Sequence, residues 1–234
     1  MTSRLLLFSL ATLATAFSGA ALAATPPAFT ATYNVLQGDR PMGEATVTLR
    51  QDDNGEWVYS KEVKGTAGLA AMLGASLSES SRFRWKGELP EAISYDYRLQ
   101  TGIKNKQRHM VVDWSRQQVS VDEGKGPQSY PSQPGIVERN TLALALGVAL
   151  GDGDRKVTLP VAVRQEVQTQ NFEVTGKETV QVPAGSFHAE RVDRIDAERG
   201  FSAWYAPGKY PLPVKLSQKD GGGLTMELVS YRAD

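Results

Sequence analysis

The sequence contains no cysteine and only two histidines, and its 26 basic side chains are matched by 26 acidic ones. Without thiols there is no disulfide, no thiolate nucleophile, no Cys-ligated zinc or iron–sulfur cluster, and no acylation of an N-terminal cysteine. A formal charge of +0 argues against a nucleic-acid partner, since such modules carry a basic excess that neutralises phosphates. Beyond residue 23 no apolar run approaches the roughly 20 residues that a membrane-spanning helix needs. Disorder is excluded as well: 41% of residues are hydrophobic, and four Trp, eight Tyr and seven Phe can supply a core.

What is present begins with an address. Arg4 is followed by the apolar run from Leu5 to Phe17, which ends in Ala21-Leu22-Ala23. A positive start, a short apolar segment and small residues at the first and third positions before a cut are the features of a secretory signal peptide. Residues 1–23 are therefore expected to be removed before Ala24, leaving a single periplasmic domain over 24–234 with no transmembrane segment. A chain of this size buries roughly 70% of its unfolded surface and needs no disulfide staple.

The mature chain reads largely with a period of two. Ala45, Val47 and Leu49 alternate with Glu44, Thr46, Thr48 and Arg50, and Val157, Leu159 and Val161 repeat the pattern. Turn chemistry punctuates it at Gly38-Asp39, Asn54-Gly55, Pro183-Ala184-Gly185 and Gly221-Gly222-Gly223. Gly176-Lys177 is also read as a turn, and 124–135, with three prolines, as the longest loop. Two segments break the alternation. Ala67 to Leu73 predicts a short helix, and Thr141 to Leu150, capped by Asn140 or Thr141, predicts a second with almost no polar face, so that it must be buried or line a concavity. The expectation is a mainly β protein: one curved antiparallel sheet of about a dozen strands, an open barrel or β-spiral, wrapped around two short apolar helices.

Reactive constellations are sparse. His109 and His188 lie far apart, each inside a predicted strand, without the spacing of a zinc motif. No Gly-x-Ser-x-Gly elbow presents a serine. Asp193, Asp196 and Glu198 interleave with Arg191, Arg194 and Arg199 as a salt-bridged solvent face does, although paired carboxylates also serve glycoside hydrolysis. Arg82-Phe83-Arg84-Trp85-Lys86 mixes basic and aromatic groups, but an exported neutral protein gives it no nucleic acid to meet.

The Pro41-Met42-Gly43-Glu44-Ala45 segment, Val182-Pro183-Ala184-Gly185-Ser186-Phe187, Trp204-Tyr205-Ala206-Pro207 and Leu212-Pro213-Val214 resemble the bacterial envelope family known as domain of unknown function 3108. More remotely, the chain is similar to the periplasmic lipoprotein carriers LolA and LolB and to β-spiral envelope proteins. The resemblance implies a sheet curved around helices with a hydrophobic hollow, and it implies no catalytic residues.

The resulting expectation is a non-enzymatic protein without cofactor or metal that binds a lipid, an acyl chain or an envelope protein. Leu69, Met72, Leu73, Leu142, Leu146 and Val148 are expected to line the cavity, with Met72 and Met110 as adaptable lining. The alternatives are a filled-core scaffold that recruits an envelope partner through a free strand edge, and a hydrolase using one of the histidines.

Overall fold

A computed structural model describes residues 25–197, 200–218 and 223–234. The signal segment 1–23, Glu198, Arg199 and the Gly221-Gly222 part of the last turn lie outside the described residues.

Among the described residues fifteen strands form one sheet, more than the dozen expected from the sequence. The N-terminal run is β1 (Phe29–Gln37), β2 (Arg40–Gln51), β3 (Trp57–Gly65), β4 (Ser76–Lys86), β5 (Leu89–Thr101), β6 (Lys104–Asp113), β7 (Gln118–Asp122) and β8 (Gln128–Pro131), each hydrogen-bonded to the next. The C-terminal run is β9 (Val137–Glu138), β10 (Lys156–Ala162), β11 (Val167–Val182), β12 (Gly185–Arg194), β13 (Phe201–Tyr205), β14 (Lys215–Gln218) and β15 (Leu224–Ala233). Pairing of β1 with β15 joins the two runs in the middle of the sheet, so its edges are β8 and β9. These edges are neighbours in sequence but not in the hydrogen-bonded ladder, and the sheet therefore curves without closing.

All pairings are antiparallel except β9 with β10, which run parallel because helix α2 (Leu142–Gly151) provides the crossover between them. The alternating positions Ala45, Val47, Leu49, Val157, Leu159 and Val161 are all buried, as their period demands. Gly176-Lys177 is not a turn. β11 runs through it as a 16-residue strand, with a register shift between Val174 and Gly176. The hairpin forms at Pro183-Ala184, the other turn expected there, where Ala184 N–H also donates to Leu228 C=O at 2.9 Å. A glycine-bearing pair inside a strand thus marks a bulge here.

Among the described residues the sheet wraps α2 but not the other helix. Eight of the ten α2 residues are buried; Leu144 and Val148 pack toward Phe29, Leu49 and Leu212, while Leu142, Leu146 and Leu150 pack among Leu159, Phe172 and Val192. Tyr205 pins the helix by donating its hydroxyl hydrogen to Ala143 C=O at 2.9 Å. At Gly147, an added Cβ would stand 2.0 Å from Pro211 O, so the absence of a side chain is what lets helix and chain approach.

Asn140 and Thr141 are the capping residues expected from the sequence, and neither side chain caps the helix. Glu138 instead fixes the turn leading into the helix, as Asn140 N–H and Thr141 N–H donate to its two carboxylate oxygens at 2.7 and 3.0 Å. The Asn140 side chain is drawn away, donating to Ser81 Oγ at 2.9 Å and Tyr59 C=O at 3.2 Å. A negative group beside the first turn also complements the helix dipole.

The other helix, α1 (Gly68–Met72), has no buried residue and lies at the end of β2 and β3, outside the wrap. Its five residues are too few to present an apolar stripe to the core. Gly102 N–H in the β5–β6 turn donates to Leu73 C=O at 2.8 Å, holding the helix at the strand ends.

Candidate functional site

The open side of the sheet is where β5–β8 face β9–β11 across the chain that links them. Segment 132–136 bridges that side. Ala92 N–H donates to Ile136 C=O at 2.9 Å, and Gly135 N–H donates to the buried Glu91 carboxylate at 3.0 Å. Arg84 and Lys86 hold the same carboxylate from β4. Tyr130 on β8 donates its hydroxyl hydrogen to Val163 C=O just beyond β10. Beside this seam lies a cavity of about 410 Å³. Its apolar wall comes from Met110, Val121, Leu142, Ala162, Val163 and Phe201, and its polar wall from Arg108, Glu138, Arg139, Arg164, Gln168, Gln170, Arg194 and Gln218. A groove of about 910 Å³ lies alongside it, running past Tyr97, Arg98, Lys106, Glu123 and Lys125 and sharing Arg108, Arg139 and Arg164 with the cavity.

Each shared arginine is fixed differently. Arg108 on β6 and Arg164 after β10 both contact one carboxylate oxygen of Glu123, at 2.5 and 3.0 Å, so that two guanidiniums share a single negative charge. Arg108 also lies over the Tyr97 ring, 5.9 Å from its centroid. Arg139 stands 3.6 Å from Glu79 Oε1, close enough for an ion pair and too far for a hydrogen bond. Glu79 is buried on β4 and is served by Lys61 and by the Tyr95 hydroxyl, which donates at 2.6 Å. Burial works against ionisation of Glu79, yet Lys61 and Arg139 overcome it and hold the carboxyl below the usual carboxylate range. Glu138 goes the other way. Burial pushes its carboxyl up, and hydrogen bonds from Ser81, Asn140 and Thr141 only partly offset it.

The residues expected to line a hollow are dispersed. Leu142 is in the cavity wall. Leu146 is fully buried in the core, and Val148 borders a separate depression beside Pro211 and Tyr231. Leu69 and Met72 are 62% and 80% exposed on α1, and Leu73 is half-buried next to the β5–β6 turn. These three are not brought to Leu142. Of the two methionines expected as lining, Met110 is there and Met72 is not. The arginines are not legible in the sequence because their meeting depends on β6, the segment after β9 and the segment after β10 converging; only the contrast between a neutral chain and a locally basic wall signals them.

The histidines do not meet. His109 contacts Asp96 on the neighbouring strand at 2.8 Å, and His188 contacts Thr179 at 3.2 Å. Asp193 is held by Thr175, Arg191 and Ser202, and Asp196 by Arg194, so both are tied into the charged face expected for them. Among the described residues no group of three or more His, Asp or Glu is placed to hold a metal ion. Nor is any helix among them long and apolar enough to cross a membrane.

No curated protein matches the chain. A solved structure described as a beta-barrel-like protein of domain of unknown function DUF1849 from Brucella abortus is similar over 89% of this chain and 98% of its own, with 8% identity and a TM-score of 0.48. The family described as "Protein of unknown function (DUF3108)" matches residues 28–229, spanning the sheet from just before β1 into β15, and the chain belongs to that family.

Proposed function

We propose that the protein is exported to the periplasm, acts without catalysis, and binds the apolar portion of a lipid or acyl-chain ligand at the open side of its sheet. The observation that carries this reading is the cavity of about 410 Å³ with Leu142, Met110, Val121 and Phe201 in its wall. Its size falls within the roughly 300–1,000 Å³ of small-molecule sites, and the mouth of a curved sheet is a common place for one. Support comes from this cavity rather than from the remote likeness to lipoprotein carriers. Recruitment of an envelope partner by strand addition has less to build on: the edge strands are four and two residues long, β8 ends in Pro131, and β9 is buried.

The reading is tested on protein purified from its native compartment. Solvent extraction and mass spectrometry are expected to recover a lipid, and the folded protein is expected to enhance the fluorescence of an apolar naphthylamine probe. Leu142→Trp, which fills the cavity, is expected to remove the enhancement. Protein that carries no lipid and stays silent with the probe overturns the proposal. N-terminal sequencing is expected to find Ala24 first, and retention of residues 1–23 in the cell overturns export.

A further inference from the structure

We propose that the ligand is an anionic amphiphile, a single acyl chain carrying a carboxylate or phosphate head, and that Arg139 and Arg164, with Arg108 behind them, bind that head where the cavity meets the groove. The inference rests on the cavity reading and adds the chemistry of the second half of the ligand.

Arg139 carries it. Its guanidinium presents five N–H donors in a planar fork, its side chain is 51% exposed, and it donates no hydrogen bond among the described residues. Arginine forks are suited to a carboxylate or phosphate and are less strongly hydrated than an ammonium. Arg164 is 59% exposed and directs Nε at Glu123, which leaves its remaining donors open. Arg108 is largely enclosed and already commits Nε and one terminal nitrogen to Glu123, so it contributes field more than hydrogen bonds.

The balance of charge gives the same sign. The cavity and groove together are walled by seven cationic side chains, Arg194 and, toward the β5–β6 turn, Arg98, Lys106 and Lys125 among them, against the carboxylates Glu123 and Glu138. Counting also Glu79 beside Arg139 and Asp196 beside Arg194 leaves three cations in excess. Since the whole chain is neutral, this excess is local placement rather than composition. A concave wall of one sign focuses its field on whatever enters. The apolar wall of the cavity adjoins this cationic wall through the three shared arginines, which is the arrangement an acyl chain with an acidic head requires.

The test displaces the naphthylamine probe from the mature protein with ligands of one chain length: dodecanoate, dodecyl phosphate, dodecanol and monododecanoyl glycerol. The two anions are expected to bind at least about tenfold tighter than the two neutral compounds, as charge-assisted hydrogen bonds provide, and to lose that advantage as salt is raised. Arg164→Gln combined with Lys106→Gln, both at exposed positions, is expected to weaken the anions about tenfold and leave the neutral compounds unchanged. Arg139→Lys keeps the charge beside Glu79 and is expected to weaken the anions while preserving the thermal melt. Equal binding of charged and neutral ligands overturns the head-group proposal and leaves the cavity reading standing. No displacement by any of the four overturns the cavity reading itself. Inorganic phosphate binding as tightly as dodecyl phosphate overturns the amphiphile and leaves a free-anion site.

Discussion

Replacing Gly147 by alanine sets two effects of opposite sign against each other. In an exposed helix, Gly→Ala stabilises by about 1 kcal/mol, because alanine restricts the unfolded chain and suits the helical backbone. At Gly147 the new Cβ would stand 2.0 Å from Pro211 O, 2.6 Å from Pro211 C and 3.2 Å from a ring carbon of Tyr205. Ordinary contacts begin near ~3.5 Å, so helix and chain must separate by more than ~1 Å. The obstacle is the backbone of a Pro211-Leu212-Pro213 segment, which cannot rotate away as a side chain would, and Tyr205 is tied to the same helix through Ala143. Overpacking of this kind costs about 1–3 kcal/mol, here at the upper end, which leaves a net loss of about 2 kcal/mol. For a domain of this length that is a fall of roughly 4–8 °C in Tm. Gly151→Ala is the matched control: it lies in the same helix, is exposed, and meets nothing within 4 Å, so it should be neutral or gain up to about 1 kcal/mol. Urea unfolding of the three proteins, with m-values compared, decides the matter. If Gly147→Ala is as stable as the parent, α2 is not pressed against Pro211 and the close packing of helix and chain is wrong.

Leu146→Ala should lose about 2–5 kcal/mol, whereas Leu69→Ala and Met72→Ala should each change stability by less than about 0.5 kcal/mol, because α1 buries nothing; chemical denaturation of the three separates core from surface. Glu138→Ala leaves the N–H groups of Asn140 and Thr141 without acceptors and should cost about 2 kcal/mol, read as a lower urea midpoint. Glu79→Gln should destabilise most at neutral pH. Since its folded carboxyl titrates below the unfolded value of about 4.3, its contribution is present above that pH and fades as pH falls through the folded pKa. Parent and variant should therefore converge in acid, and a gap that stays constant from pH 7 to pH 3 would remove Glu79 from the ion-pair network.

Local chemistry made much of the architecture legible. The hairpin at Asn54-Gly55 and the one at Pro183-Ala184-Gly185 depend on dihedral preferences of a few consecutive residues, and Asp52 completes the first by accepting from Asn54 N–H and Glu56 N–H at 2.9 and 3.0 Å. The burial of α2 was equally readable, since a ten-residue helix with no polar side has nowhere stable to lie except inside. Gly176 shows the limit. A single glycine inside a long alternating stretch signals a turn or a bulge equally well, and only the continued pairing of β12 along β11 selects the bulge. The same limit applies to α1: Ala67 to Leu73 has the composition of a core helix, yet the neighbouring strands place it at their ends, where Leu69 and Met72 meet solvent.

By itself, then, the amino-acid order determined most of the strands and turns, the enclosed helix and the balance of charge, because each follows from side-chain periodicity or from the conformational limits of neighbouring residues. Tertiary structure alone decided that the sheet stays open between β8 and β9, that Glu138 fixes the turn leading into the helix, and that Arg108, Arg139 and Arg164 stand around one opening. Those outcomes depend on Coulombic and hydrogen-bonded partners brought together across the curve of the sheet, such as Arg139 with Glu79 and Arg164 with Glu123. No local pattern encodes such meetings, because the distance between two charges is set by the path of the whole chain.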